Sequence, residues 1–156
     1  MLILPPPYTL DYRLSPHFSL RELTWTLHRG YLERNIEEAI PFIETALIPL
    51  CQVMETVRWM CGGHPISVHS GFRCPDLNTA IHGSPTSQHK LGEAMDFHVI
   101  GLSVEEVWMM ISSSDLPFGQ CLCEGPAMGS WTWVHLSLGA PWRAARKCGQ
   151  SFQVVA

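Results

Sequence analysis

The sequence predicts an α+β domain in which N-terminal helices pack on a small, mainly antiparallel sheet, and the order of its periodic segments carries that reading. Apolar residues between Ile36 and Cys61 recur at helical spacing. Beyond residue 65 the period changes to two, the spacing of half-buried strands. Helix-type segments therefore precede strand-type segments instead of alternating with them, which favours an α+β chain over a doubly wound one. With 156 residues and 17.5 kDa, the chain fits one domain whose core needs no disulfide or metal staple.

Taken in order, residues 1–18 hold Pro5, Pro6, Pro7 and Pro16 with little periodicity and read as an extended arm lying on a single domain of residues 19–156. Ser19 and Glu22 can cap each other, so a short helix is expected from Ser19 to near Gly30. Asn35 with Glu38 repeats the capping logic at the start of a longer helix, along which Ile36, Ile40, Ile43, Leu47, Leu50, Met54, Val57 and Cys61 form one apolar face. Pro41 and Pro49 should kink or split that helix, since each removes a backbone donor, and Gly62-Gly63 should end it. Strands are expected over 66–70, 93–99, 120–124 and 131–138, with a capped helix opening at Ser103-Val104-Glu105-Glu106 between the second and third. The tail beyond Gly139, with Arg143, Arg146 and Lys147, reads as a solvated surface segment.

Composition removes several classes of function. Ten Lys and Arg against 14 Asp and Glu give a net charge of -4, with no basic excess to grip a phosphate backbone. Apolar residues at 46%, punctuated by 12 Gly and 12 Pro, exclude a disordered or collagen-like chain. Charged residues at 15% are few beside the roughly 25% of an average domain, and six Trp are many, so part of the surface is expected to be apolar, as in an assembly or a substrate groove. Pro41, Pro49 and charged residues interrupt every apolar run before the ~20 residues of a bilayer crossing, and the start lacks a basic n-region, so synthesis without export signal or membrane span is expected. The six Cys show no C-x-x-C spacing and read as small core hydrophobes.

Strand alternation points to chemistry. If Met95, Phe97 and Val99 face the core, Ala94, Asp96 and His98 face the other way. If Val134, Leu136 and Leu138 face the core, Trp133, His135 and Ser137 share the opposite face. A polar loop, Ser84-Pro85-Thr86-Ser87-Gln88-His89, adds a second imidazole seven residues before Asp96. Two His and one carboxylate with an open position is the ligand count of a catalytic zinc. With eight His in the chain, spacing alone leaves other pairings open.

Ser87-x-His89-x-x-Gly92-x-Ala94-x-Asp96, preceded by Ser70-Gly71-Phe72-Arg73 and followed by Trp133-Val134-His135-x-Ser137, resembles the zinc D-alanyl-D-alanine carboxypeptidase and L-alanyl-D-glutamate endopeptidase family, which shares a Hedgehog-like fold and includes phage endolysins. His17-Phe18-Ser19-Leu20-Arg21-Glu22-Leu23 is similar to that family's N-terminal segment. The resemblance implies His89, Asp96 and His135 as zinc ligands, Arg73 as the residue that grips a substrate carboxylate or carbonyl, and Glu124 as the base that takes a proton from the attacking water and returns it to the leaving amine. Trp133 is then a substrate contact, and Ser87 and Ser137 are candidates for orienting the ligands. Gly92 allows the ligand loop to turn sharply, and Ala94 keeps the floor beside the metal low.

The pattern departs from that of relatives at Gly125-Pro126-Ala127-Met128-Gly129-Ser130, longer than their tight turn, and at His82, where they carry a small residue. His82, His98 and Glu93 are held in reserve as rim, surface or substrate-contact residues. The implied function is hydrolysis of peptidoglycan stem peptides by a phage-encoded enzyme that is made in the host cytoplasm and acts on the wall, in lysis or as a virion component. Two other readings stay open: a tail or baseplate structural protein built on the same fold among other virion proteins, and a zinc-binding module without catalysis.

Overall fold

The computed structural model describes residues 4–125 and 131–139, together with the backbone of 144–146 and 153–154. A short hairpin, β1 (Arg13–Ser15) and β2 (Phe18–Ser19), leads into helix α1 (Leu20–Thr24). Ser19 caps α1 reciprocally with Glu22, as the sequence predicts. The helix ends well short of Gly30, because its last carbonyls are claimed from elsewhere. The Leu23 carbonyl accepts Phe72 N–H at 2.7 Å and the Thr24 carbonyl accepts the Asn35 amide at 2.7 Å, while Trp25 is already extended.

The next helix begins at Leu32, not at Asn35. In α2 (Leu32–Ala39) Asn35 is an interior, fully buried residue. Its amide donates to the Thr24 and Phe72 carbonyls and its oxygen accepts Cys74 N–H at 2.7 Å, so the side chain serves neighbouring loops rather than its own helix end. Beyond Ala39, Pro41 and Pro49 fall where the helix changes its hydrogen-bonding pattern without breaking. A 3-10 turn (Ile40–Phe42) and a π turn (Ile43–Leu47) precede α3 (Ile48–Met60), with each proline in the first turn of its segment, where no backbone donor is needed. The helical run Arg29–Met60 therefore stays continuous over 32 residues and is, by length and composition, apolar enough to cross a bilayer. In the fold its apolar face, Ile43, Leu47, Leu50, Met54 and Val57, lies in the core. Gly62 and Gly63, both with φ near +70 to +80°, end the run.

The remaining elements are β3 (Ile66–Ser70), α4 (Pro75–Ala80), β4 (Ala94–Val99), α5 (Val104–Ser112), β5 (Gln120–Glu124), β6 (Trp133–Ser137), β7 (Ala144–Arg146) and β8 (Gln153–Val154). They form one sheet in the order β3-β4-β6-β5-β7-β8, antiparallel except for the β5·β7 pair. Met95, Phe97, Val99, Val134 and Leu136 pack on the helices, which gives the α+β architecture expected. Cys51, Cys61, Cys74 and Cys121 are free and buried, filling core space as small hydrophobes; Cys123 is buried as well, and Cys148 lies outside the described residues.

The segment beyond Gly139 corrects the sequence reading. Ala144–Arg146 is not a free surface segment, because its backbone extends the sheet by pairing in parallel with Gln120–Leu122. The edge that β5 would otherwise leave bare is a row of unpaired backbone groups, and this strand covers it. Arg143 and Lys147 lie outside the described residues.

Candidate metal centre

The β4·β6 register sets Asp96 directly opposite His135, so two side chains from the non-core face meet across one strand pair. His89 arrives from a 3-10 turn (Gln88–Leu91) that Gly92 closes with φ +70°, a conformation that favours glycine. A Cβ at Gly92 would also sit 3.2–3.3 Å from Leu47 and Ala46, so the ligand turn depends on this residue twice.

All three side chains are buried, and one candidate ligand atom from each lies within 4.8 Å of the others. Asp96 Oδ1 is 3.2 Å from His89 Nε2 and 2.7 Å from His135 Nδ1. Asp96 Oδ2 accepts from the Arg73 guanidinium, whose Nε donates to Ser70 Oγ at 2.8 Å. Burial opposes the charge on Asp96, but the neighbouring imidazoles overcome it and hold the carboxyl well below its usual range. Burial pushes the His89 imidazole downward, against the pull of Asp96.

The donor chemistry fits a metal ion. His89 Nδ1 lies 2.7 Å from the Gly71 carbonyl, which can only accept, so that nitrogen carries a proton and Nε2 is the ring atom directed at the carboxylate. A cation between Nε2 and Asp96 takes the place of a proton shared by the two. The nitrogen and oxygen donors suit a divalent ion of borderline hardness, and the Gly71 carbonyl orients the ligand from behind. Sequence reasoning did not assign this role to Gly71. The signal was its glycine: a Cβ there would fall 2.5 Å from the Leu23 carbonyl, so only glycine lets α1 come close enough to fix the loop.

The triad opens into a cleft of about 690 Å³. Arg73, Ser87, Glu124 and Trp133 all line it. Glu124 pairs with Trp133 across β5·β6, and Leu122 with His135, which puts Glu124 on the cleft face. Trp133 Nε1 donates to Glu124 Oε2 at 3.1 Å. The longer connection after Glu124, of which 126–130 fall outside the described residues, leaves this register intact. Ser137 is buried and accepts Gln120 N–H at 3.0 Å, so its hydroxyl holds the end of β5.

The reserve residues divide. His82 stands just past α4 with φ +56°, in the left-handed region where a small residue is at ease. Glu93 continues the β4·β6 pairing through its backbone, its carbonyl accepting Leu138 N–H. His98 turns to His69, a residue sequence reasoning passed over. The structure supplies what the sequence lacked there: an extra residue in β3 between Val68 and Ser70, whose partners Phe97 and Asp96 are consecutive, so that His69 is the bulged residue.

No curated protein matches the chain. Residues 16–137, which include the triad, Arg73, Glu124 and the hairpin end that leads into α1, match the peptidase M15 family, and with a His/Asp metal-binding cluster built on an α+β frame the chain belongs to that family as a metallopeptidase.

Proposed function

We propose that the chain is a zinc-dependent peptidase acting on the stem peptides of bacterial peptidoglycan. The observation that carries this reading is that one cleft is lined by a carboxylate and a guanidinium, Glu124 and Arg73, together with the triad. Zinc, when bound, would polarise the scissile carbonyl and acidify a water, and two imidazoles with one carboxylate leave it an open position. His89, Asp96 and His135 would hold it.

Glu124 faces the same cleft as the triad and can accept the proton of the attacking water and pass it to the leaving nitrogen. Trp133 fixes one of its oxygens, leaving the other for that exchange. Arg73 spends Nη2 on Asp96 and Nε on Ser70, and its Nη1 makes no hydrogen bond among the described residues. That nitrogen is placed to take a carboxylate or carbonyl oxygen of a stem peptide, which is rich in both. Arg73 thus steadies a ligand and binds substrate with different atoms. Resemblance to endolysin-like members supports a phage-encoded enzyme working on the wall, in lysis or penetration. Digestion of purified peptidoglycan by the zinc-loaded chain, with mass spectrometry of released fragments, should show cleaved stem peptides on intact glycan. Undigested stem peptides would overturn the substrate assignment.

A further inference from the structure

Beside the triad, on the same face of β4, a second pair of imidazoles converges. His98 lies two residues from Asp96, about 7 Å along the strand. Its Nδ1 is 2.5 Å from Nε2 of His69, with the rings 4.8 Å apart and nearly perpendicular. The β3 bulge brings His69 to this position, and a bulge is a common means of re-aiming one side chain without disturbing the rest of a ladder. His69 is exposed and His98 half-buried, so the space around the two nitrogens is open to water. Neither residue enters the chemistry proposed for the cleft.

We propose that His69 and His98 form a second, exchangeable site for a divalent transition-metal ion at the rim of the cleft. Two imidazoles already directed at one point from adjacent, hydrogen-bonded strands need little ordering to chelate. In a tetrahedral complex with metal–nitrogen bonds near 2.05 Å the two nitrogens stand about 3.3 Å apart. An exposed side chain reaches that separation by a small rotation, and the ion then takes the place of the one proton the rings share. Imidazole pairs of this kind suit Zn²⁺, Ni²⁺ and Cu²⁺ rather than Mg²⁺ or Ca²⁺, which prefer oxygen donors. With two protein ligands and water completing the shell, the site is weaker than the buried triad. A metal here also has a reporter, since the His69 ring lies 6.2 Å from that of Trp133.

The experiment uses the full, untagged chain carrying one equivalent of zinc in the triad, titrated with Ni²⁺. Equilibrium dialysis should show one further Ni²⁺ per chain, accompanied by quenching of tryptophan fluorescence. Both signals should be lost in His69→Gln and in His98→Gln while the zinc equivalent is retained. Absence of Ni²⁺ binding in the zinc-loaded chain, or binding unchanged in both variants, would overturn the proposal. His89→Ala separates the two sites: it should remove the zinc equivalent that survives dialysis and leave the weaker Ni²⁺ site, so failure of the triad and failure of this pair are read independently.

Discussion

Glu124 owes its position to its neighbours more than to its own chemistry. It stands opposite Trp133, and the indole N–H holds one carboxylate oxygen while the other faces the cleft. Glu124→Gln keeps an oxygen for that indole and removes only the basicity, so it is a clean change. Hydrolysis should fall about 100-fold to 10,000-fold, the usual contribution of a general acid or base, with bound metal and melting temperature unchanged. Fragment release from peptidoglycan, metal content and thermal unfolding check the three parts, and a wild-type rate would assign the proton to another group. Two of the three candidate ligands were legible in the sequence because alternation along two strands, Asp96 in one and His135 in the other, is a local property, whereas the choice of His89 among eight histidines rested on the family resemblance. Gly71 and Ser137 were not legible, since a carbonyl behind His89 and a hydroxyl under Gln120 are set by which strands and helices meet.

At the scale of the element, capping at Ser19 and Ser103 could be read because each box closes within four residues. Asn35 has the same composition cue and a different fate, since its three partners, the end of α1 and the loop before α4, lie 11 to 39 residues away. The strand at Ala144–Arg146 carried no alternation at all and arises from the open edge of β5. The N-terminal hairpin is held by one carboxylate. Glu55 on α3 accepts from Ser15 Oγ at 2.6 Å and His17 N–H at 2.8 Å and pairs with His17 Nδ1 at 2.7 Å. Burial pushes the Glu55 carboxyl up, but these bonds together bring it below its ordinary value of 4.5. A lowered folded value means that the unfolded chain takes up the proton first, so the stabilisation is full above about pH 4.5 and is lost as pH falls through the folded value. Glu55→Gln should therefore melt below the wild type at pH 7, and the gap should close between pH 5 and the acid limit of the fold. A gap independent of pH would show that the bonds work as well with a neutral partner.

At the scale of the molecule, the metal centre joins parts that sequence keeps far apart. His89 comes from a turn, Asp96 from β4 and His135 from β6, while Arg73 and Gly71 tie the same site to the loop packed on α1. A ligand that binds only the folded chain stabilises it by RT ln(1 + [L]/Kd), or about 2.7 kcal/mol at a hundredfold excess over Kd. For a domain of this size that amounts to roughly 5–11 °C of melting temperature. The metal is nevertheless no structural staple. The core of Phe18, Leu47, Met54, Phe97 and Val134 is complete without it, and Arg73 still balances the buried charge of Asp96 once the ion is gone. Chelation should therefore lower the melting temperature by several degrees without abolishing the cooperative transition, and added zinc should restore it. Scanning calorimetry of the chelated and zinc-loaded chain checks this. Outright unfolding on chelation would make the ion structural, as in small domains whose fold exists only with metal. The His89→Ala variant should gain far less melting temperature than the wild type from a single equivalent of zinc, because a site reduced to Asp96 and His135 holds the ion too weakly to distinguish the folded chain strongly.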